Sequence, residues 1–224
     1  MPESPNPKRK FKDRVFTELE RIGKALSSRR RLELLDVLTQ GPHSVEQLAT
    51  ELQISVANAS QHVLRLHEAK LVSRRREGSR VYYAVANEDV AQLYAALRRV
   101  GEAQLPALSV AIGDFFETPA VPTDDISVIL DAVDSGDAVL IDTRPRHEFA
   151  AGHVRGARSI PLDELSRHED ELPRNKAIVA YCRGPFCTFA DTAVERLRRR
   201  GFDARRIELS IADFRNHGVD IEAA

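Results

Sequence analysis

The stretch "GPHSVEQLATELQISVANASQHVLRLHEA", residues 41–69, sets two short helix signals end to end with almost nothing between them. Gly41-Pro42 breaks the preceding pattern, and Ser44 opens a helix with Gln47 three residues later, the arrangement of a capping box. A turn at Gln53-Ile54 then leads to Ser55, which can cap a second helix running to about Ala69. Two short helices joined by so tight a turn form a helix-turn-helix unit.

The second helix has two faces. Ala59, Val63, Leu66 and Leu64 are expected to pack inward. Ser55, Asn58, Ser60, Gln61, His62 and Arg65 stay outside, and these short polar or forked side chains can bond base edges and phosphates in a major groove. An ordinary solvated helix face would read the same way, so the flanking sequence has to decide. "LVSRRREGSRVYYAV" is two alternating strands around Glu77-Gly78-Ser79, a hairpin whose tip carries Arg74, Arg75, Arg76 and Arg80. A basic ribbon beside a helix-turn-helix is a wing, suited to neutralising phosphates. Upstream, helices are expected over roughly 11–26 and 28–39, with apolar residues at helical spacing from Val15 to Leu26 and from Leu32 to Leu38. The Pro- and Lys-bearing first ten residues are expected to be disordered.

Charge divides the chain. Residues 1–110 hold 18 Lys and Arg against 13 Asp and Glu, a net +5, whereas 111–224 hold 15 against 21, a net −6. The front half thus favours an anionic partner and the back half does other work. With 224 residues there is room for two cores. The run "GDFFETPAVPTDD" has no clear period and reads as the join, Phe115 and Phe116 capping a core. We therefore expect domains at 1–115 and 123–224 with a linker at 116–122. Nothing resembles a signal peptide or a membrane span, so a soluble, cytoplasmic protein is expected. In that reducing compartment the two cysteines are more readily reactive thiols than a structural disulfide.

The segments "RRRLELLDVL", "SVEQLATELQIS", "SQHVLRLHEAKLV" and "REGSRVYYAV" follow, in order, the pattern of the ArsR/SmtB family of winged-helix repressors, which the stretch 29–85 resembles. The resemblance implies a mostly α winged helix-turn-helix domain with a β-hairpin wing. It also implies a homodimer pairing through the first helix and the helix after the wing, about 87–112, and reading a double-stranded palindromic operator. Many relatives sense metals through cysteines in the helix-turn-helix or through His and acidic residues in the last helix. "VEQLATEL" has no cysteine and "EDVAQLYAALRRVGEAQL" no histidine, so no metal site is expected, and any sensor lies elsewhere.

From residue 123 the pattern changes. Thr123 or Asp124 can cap a helix through Val133; "AVLIDTR" and "AIVAYC" are apolar runs of buried-strand length; "TFADTAVERLRRRGF" is an amphipathic helix; "RRIELS" is another short strand. Such alternation implies a parallel α/β sheet, whose chemistry collects beyond the strands' carboxyl ends. Cys182 sits at one of them. A loop curled between a strand and a helix N-terminus turns successive N–H groups inward, and the helix dipole adds positive potential, so a thiolate there is stabilised and nucleophilic. Gly184 permits the curl, while Pro185 brings no N–H.

"LIDTRPRHEFAAGHVRGARSIPLDEL" and "AIVAYCRGPFCTFADTAVERLRRRGF" carry the signature and the catalytic strand, loop and helix of the rhodanese family, single-domain form, which residues 123–222 resemble. "LSIADFRNHGVDIE" stands where the family closes with Gly-Gly-x-x-x-Trp, without the double glycine or the tryptophan, a departure expected to loosen the last turn. The resemblance implies that Cys182 accepts a sulfane sulfur from polysulfide, a persulfide or thiosulfate and holds it as Cys-S-S⁻, without any cofactor. It implies a cradle from Arg183, Gly184, Phe186, Cys187 and Thr188, with Arg183 facing an anionic donor. Asp142, Arg144 and Glu148 would form a supporting network in which both carboxylates hold Arg144, or a plain set of ion pairs. Related phosphatases have a loop one residue longer ending in arginine; Thr188 stands six residues after Cys182, which disfavours phosphate or arsenate chemistry. Cys187 either attacks a persulfide on Cys182 or fills a small-residue slot.

Joined, the halves suggest a repressor in which sulfur loaded on Cys182 shifts a DNA-binding dimer between states. The rival reading is a working sulfurtransferase localised or regulated by its front domain. A third, a thiol site for arsenite or another soft ion, is disfavoured by the lack of a third soft ligand.

Overall fold

Asn6 accepts a hydrogen bond from the Lys8 N–H and Pro7 occupies the first helical position, so the chain enters a helix earlier than its apolar pattern announces. This computed structural model describes residues 6–116, 120–122 and 125–223. The chain forms two compact units, Met1–Tyr94 and Ala95–Ala224.

In the first unit, α1 (Pro7–Leu26) and α2 (Arg29–Leu38) precede a two-residue strand β1 (His43–Ser44), then α3 (Val45–Glu51) and α4 (Val56–Glu68). Residues 7–10, expected to be disordered, are the first turn of α1. The capping box at α3 is present: the Gln47 N–H donates to Ser44 Oγ at 3.3 Å, and the Ser44 N–H to Gln47 Oε1 at 2.8 Å. Ser55 caps α4 through the Asn58 N–H at 3.2 Å. Between the helices Gln53 takes φ +50°, a left-handed turn. Strands β2 (Val72–Glu77) and β3 (Arg80–Val85) form an antiparallel hairpin in register Glu77↔Arg80, turning at Gly78 with φ +59°. β1 adds to the β3 edge, giving the order β1-β3-β2. The core joins α2, α3 and α4 through Leu34, Leu38, Leu48, Val63 and Leu66, with Ile22 and Leu26 packed against it. Leu64, expected to pack inward, is exposed because it falls between the buried positions Val63 and Leu66 on the opposite side of the turn.

The segment expected as one helix after the wing is two, α5 (Glu88–Gln104) and α6 (Pro106–Phe115). Pro106 has no N–H to continue α5, and takes the first helical position of a new helix instead. Phe115 is exposed rather than capping a core, and pairs edge to face with Phe116.

The second unit continues with α7 (Ile126–Asp134), β4 (Ala138–Asp142), α8 (Arg146–Ala151), β5 (His153–Val154), β6 (Arg158–Ser159) and α9 (Leu165–His168). Then come β7 (Ala177–Tyr181), α10 (Phe189–Arg199), β8 (Ala204–Ile207), α11 (Ile211–Asn216) and β9 (Ile221–Glu222). The cap proposed at Thr123 or Asp124 lies outside the described residues. Four strands form a parallel sheet in the order β6-β4-β7-β8, and β5 pairs antiparallel with β9. Both faces of the parallel sheet are covered, which is why its strands are continuously apolar. On β7, Ile178 and Ala180 pack with Ala193, Val194 and Leu197 of α10, while Val179 and Tyr181 pack on the other face with Phe214 of α11 and Ile126 of α7. In the closing segment Ser210 and Asp213 form a reciprocal capping box that starts α11 with side-chain hydrogen bonds.

Candidate functional site

Strand β7 delivers Cys182 directly past its carboxyl end, and α10 begins seven residues later at Phe189. Between them Gly184 takes φ +114°, a conformation that a side chain would strain, and its carbonyl accepts the Cys187 N–H at 3.1 Å across a turn led by Pro185. That turn folds Cys187 back over Cys182. In the thiol form Cys182 Sγ donates to the Cys187 carbonyl at 3.3 Å.

Burial opposes ionisation of Cys182, but a hydrogen bond from the Cys187 thiol and backbone N–H groups of Ala190, Arg183 and Gly184 outweigh it, leaving its pKa below that of an ordinary thiol. Cys187 is pushed well above the ordinary value, by burial first and then by the hydrogen bond and charge of its partner. The pair is therefore polarised, Cys182 being the more readily ionised sulfur and Cys187 the one that keeps its proton. The cradle differs from the expected continuous run: Cys187 spends its N–H on the turn, and the donors to Cys182 come from Arg183, Gly184 and the first turn of α10. Thr188 is the residue before α10 and makes no side-chain cap. Phe186 stands at the rim, 39% exposed, while Cys182 itself is only 1% exposed. The nucleophilic sulfur expected from the sequence is thus a covered one.

The supporting residues are brought together, and Glu148 also takes Arg183. Asp142 holds Arg144 through Nε at 3.0 and 3.1 Å, through Nη2, and through the Arg144 N–H at 3.0 Å; Arg144 Nη2 also donates to the Gly152 carbonyl at 2.7 Å. Glu148 accepts Arg183 Nε at 3.1 and 3.0 Å, besides acting electrostatically on Arg144. Arg183 is therefore buried against Glu148, with its guanidinium 4.9 Å from the Phe189 ring centre. The reason is positional: a cation fixed beside the buried carboxylate anchors the first residue of the loop. Tyr181 completes the layer, its hydroxyl accepting the Val154 N–H at 3.1 Å.

In the first unit Ser55, Asn58, Gln61 and Arg65 are exposed on α4, with Ser60 and His62 half-buried. Burial, with Arg31 and Arg30 nearby, lowers the His62 pKa, so the ring is neutral at neutral pH. Arg74, Arg75, Arg76 and Arg80 are all exposed on the hairpin. Two are steadied locally, Arg75 by Glu77 and Arg76 by the Gly78 carbonyl.

A winged helix-turn-helix with a basic ribbon, followed in one chain by a parallel sheet bearing a loop-held thiol, defines a DNA-binding regulator with an appended rhodanese-like domain. Residues 28–74 match the model for bacterial regulatory proteins of the arsR family, and residues 126–217 match that for the rhodanese-like domain. The chain is 37% identical over 210 residues to the HTH-type transcriptional regulator Rv0324 of Mycobacterium tuberculosis, covering 93% of this chain and 92% of that one. It belongs to the ArsR family of HTH-type transcriptional regulators, in the form that carries a C-terminal rhodanese-like domain. The front part is also similar to the transcriptional activator HlyU of Vibrio cholerae, 32% identical over 34% of this chain and 71% of the relative. Among solved structures, the homodimeric winged helix-turn-helix DNA-binding domain Mb0332 of Mycobacterium bovis is 38% identical, covering 47% of this chain and 94% of that one with a TM-score of 0.42. Among the described residues no helix is long and apolar enough to cross a membrane.

Three residues at the site went unread in the sequence. Ser210 and Asp213 carried a legible signal, the spacing of a capping box. Arg98 carried none, because its partner Asp213 lies 115 residues away.

Proposed function

We propose that this protein is a DNA-binding repressor that responds to reactive sulfur species through persulfide chemistry at Cys182. The observation that carries the reading is the polarised thiol pair. The Cys182 thiolate attacks the outer sulfur of thiosulfate, a persulfide or polysulfide, forming Cys-S-S⁻ and expelling sulfite, a thiolate or a shortened polysulfide. Cys187 can attack Cys182 Sγ as its thiol proton passes to the outer sulfur, closing a disulfide and releasing HS⁻. Its raised pKa makes that step the slower one.

The same reading pairs two copies of the chain. α1 exposes Phe11, Val15, Phe16 and Leu19, and α5 exposes Leu93, Leu97 and Val100; unpartnered faces of this kind suit a homodimer. In the dimer α4 and the wing of each copy meet one operator half-site. With Cys182 covered, loading of sulfur requires part of the cover to move, in a sensor and in an enzyme alike. The test is a gel shift on operator DNA before and after sodium tetrasulfide, with mass spectrometry of the peptide holding both cysteines. Loss of binding with one or more added sulfurs, abolished in Cys182→Ser, is expected. Multiple-turnover thiocyanate production from thiosulfate and cyanide, with DNA binding unchanged, would instead make the protein a sulfurtransferase.

A further inference from the structure

Arg98 lies in the second half of α5 and belongs to the second unit. Its side chain is 7% exposed, and Nη2 donates to both carboxylate oxygens of Asp213 at 2.6 Å. Asp213 is in turn committed to Ser210: it accepts the Ser210 hydroxyl at 2.6 Å and the Ser210 N–H at 3.0 Å. Both partners press on the sulfur loop at one point. A Cβ built on Gly184 would meet Arg98 Nη1 at 3.0 Å, Ser210 Cβ at 3.3 Å and Ser210 N at 3.4 Å. Gly184 is the residue whose N–H helps hold the Cys182 sulfur and whose carbonyl closes the turn that brings Cys187 over it.

We propose that Arg98 is a positioning residue for the sulfur site: paired with Asp213, its guanidinium holds Gly184 and Ser210 in place over Cys182, so that access to the sulfur is set by helix α5. A donor molecule has no path to a thiol so fully covered unless part of the cover moves. The loop's own residues are held by the turn and by Arg183 on Glu148, and on its other side Gly184 meets Arg98 and Ser210. Glu102, one turn on from Arg98, carries a raised pKa because burial, with Asp213 and Glu208, outweighs the pull of Arg98, and its Oε1 lies 3.6 Å from Arg98 Nε. Arg98 is thus the cation around which two carboxylates gather, and removing it releases them together. Because α5 is also the helix that the proposed dimer uses, movement of Arg98 and movement of the dimer helix are one event.

The inference rests on the sulfur chemistry proposed for Cys182, and its test separates the two. Full-length wild type, Arg98→Ala, Arg98→Lys and Asp213→Asn are alkylated with iodoacetamide across a pH series, the Cys182 rate being read by mass spectrometry. Arg98→Ala is expected to speed alkylation by about 5- to 150-fold, the range of a coupling between two elements. The pH midpoint is expected to move little, because the Cys187 thiol and the Ala190 and Arg183 N–H groups still donate to the sulfur. Arg98→Lys, which keeps the charge but loses the fork, falls between. Arg98→Ala and Asp213→Asn combined give no more than the larger single effect, as one interaction requires. Equal rates in wild type and Arg98→Ala overturn the inference, as does a shifted midpoint with an unchanged limiting rate. Sodium tetrasulfide is the second arm: if it loads no sulfur on wild type or on Arg98→Ala although iodoacetamide distinguishes them, Arg98 governs access but the sulfur reading fails.

Discussion

At Cys182 the competition between burial and hydrogen bonding decides the chemistry. Desolvation alone would keep the thiol protonated, and the Cys187 thiol with three inward N–H groups reverses that. The Cys182 alkylation rate should therefore rise with a midpoint below the ordinary thiol value of about 8.5. Cys187→Ala removes the largest of the stabilising hydrogen bonds and should move that midpoint up; a profile that stays put would show that the backbone alone holds the charge. Behind the loop, Asp142→Asn leaves the buried Arg144 without its charge partner and should cost about 3 to 5 kcal/mol, read as a lowered urea midpoint. The order Asp-x-Arg was legible in the sequence. That Glu148 would take Arg183 was not, because partner choice depends on which cation the loop carries into the carboxylate's reach.

Elements were legible where a local signal sufficed. The caps at Ser44 and Ser55, the Gly78 turn and the buried strands β4 and β7 all follow from residues within a few positions of one another. The break at Pro106 and the early start of α1 at Pro7 had equally local causes, yet periodic apolar patterns ran past the first and began after the second. Ser55→Ala should lower stability by about 1 kcal/mol by orphaning the Asn58 N–H, seen as a shift in thermal midpoint. On the wing, Arg75→Ala should flatten the log-log salt dependence of DNA binding by about one unit. An unchanged slope would mean that its pairing with Glu77 keeps it off the phosphates.

For the whole molecule, linkage sets the strictest condition on the proposed regulator. If sulfur on Cys182 lowers operator affinity by some factor, saturating operator DNA must raise the apparent constant for sulfur loading by the same factor. Measuring both on one preparation checks the coupling without knowing its route; unequal factors would mean that loading and DNA binding are not two faces of one equilibrium. The amino-acid sequence by itself determined the two folds, the helix-turn-helix with its basic ribbon and the placing of a thiol at a strand's carboxyl end, since each is written in short-range periodicity, caps and turn residues. Only the tertiary structure decided that Cys182 is covered, that Arg183 pairs with Glu148, and that Arg98 reaches Asp213 across 115 residues. Burial and ion pairing between distant segments depend on where packed surfaces meet, and no local pattern encodes that.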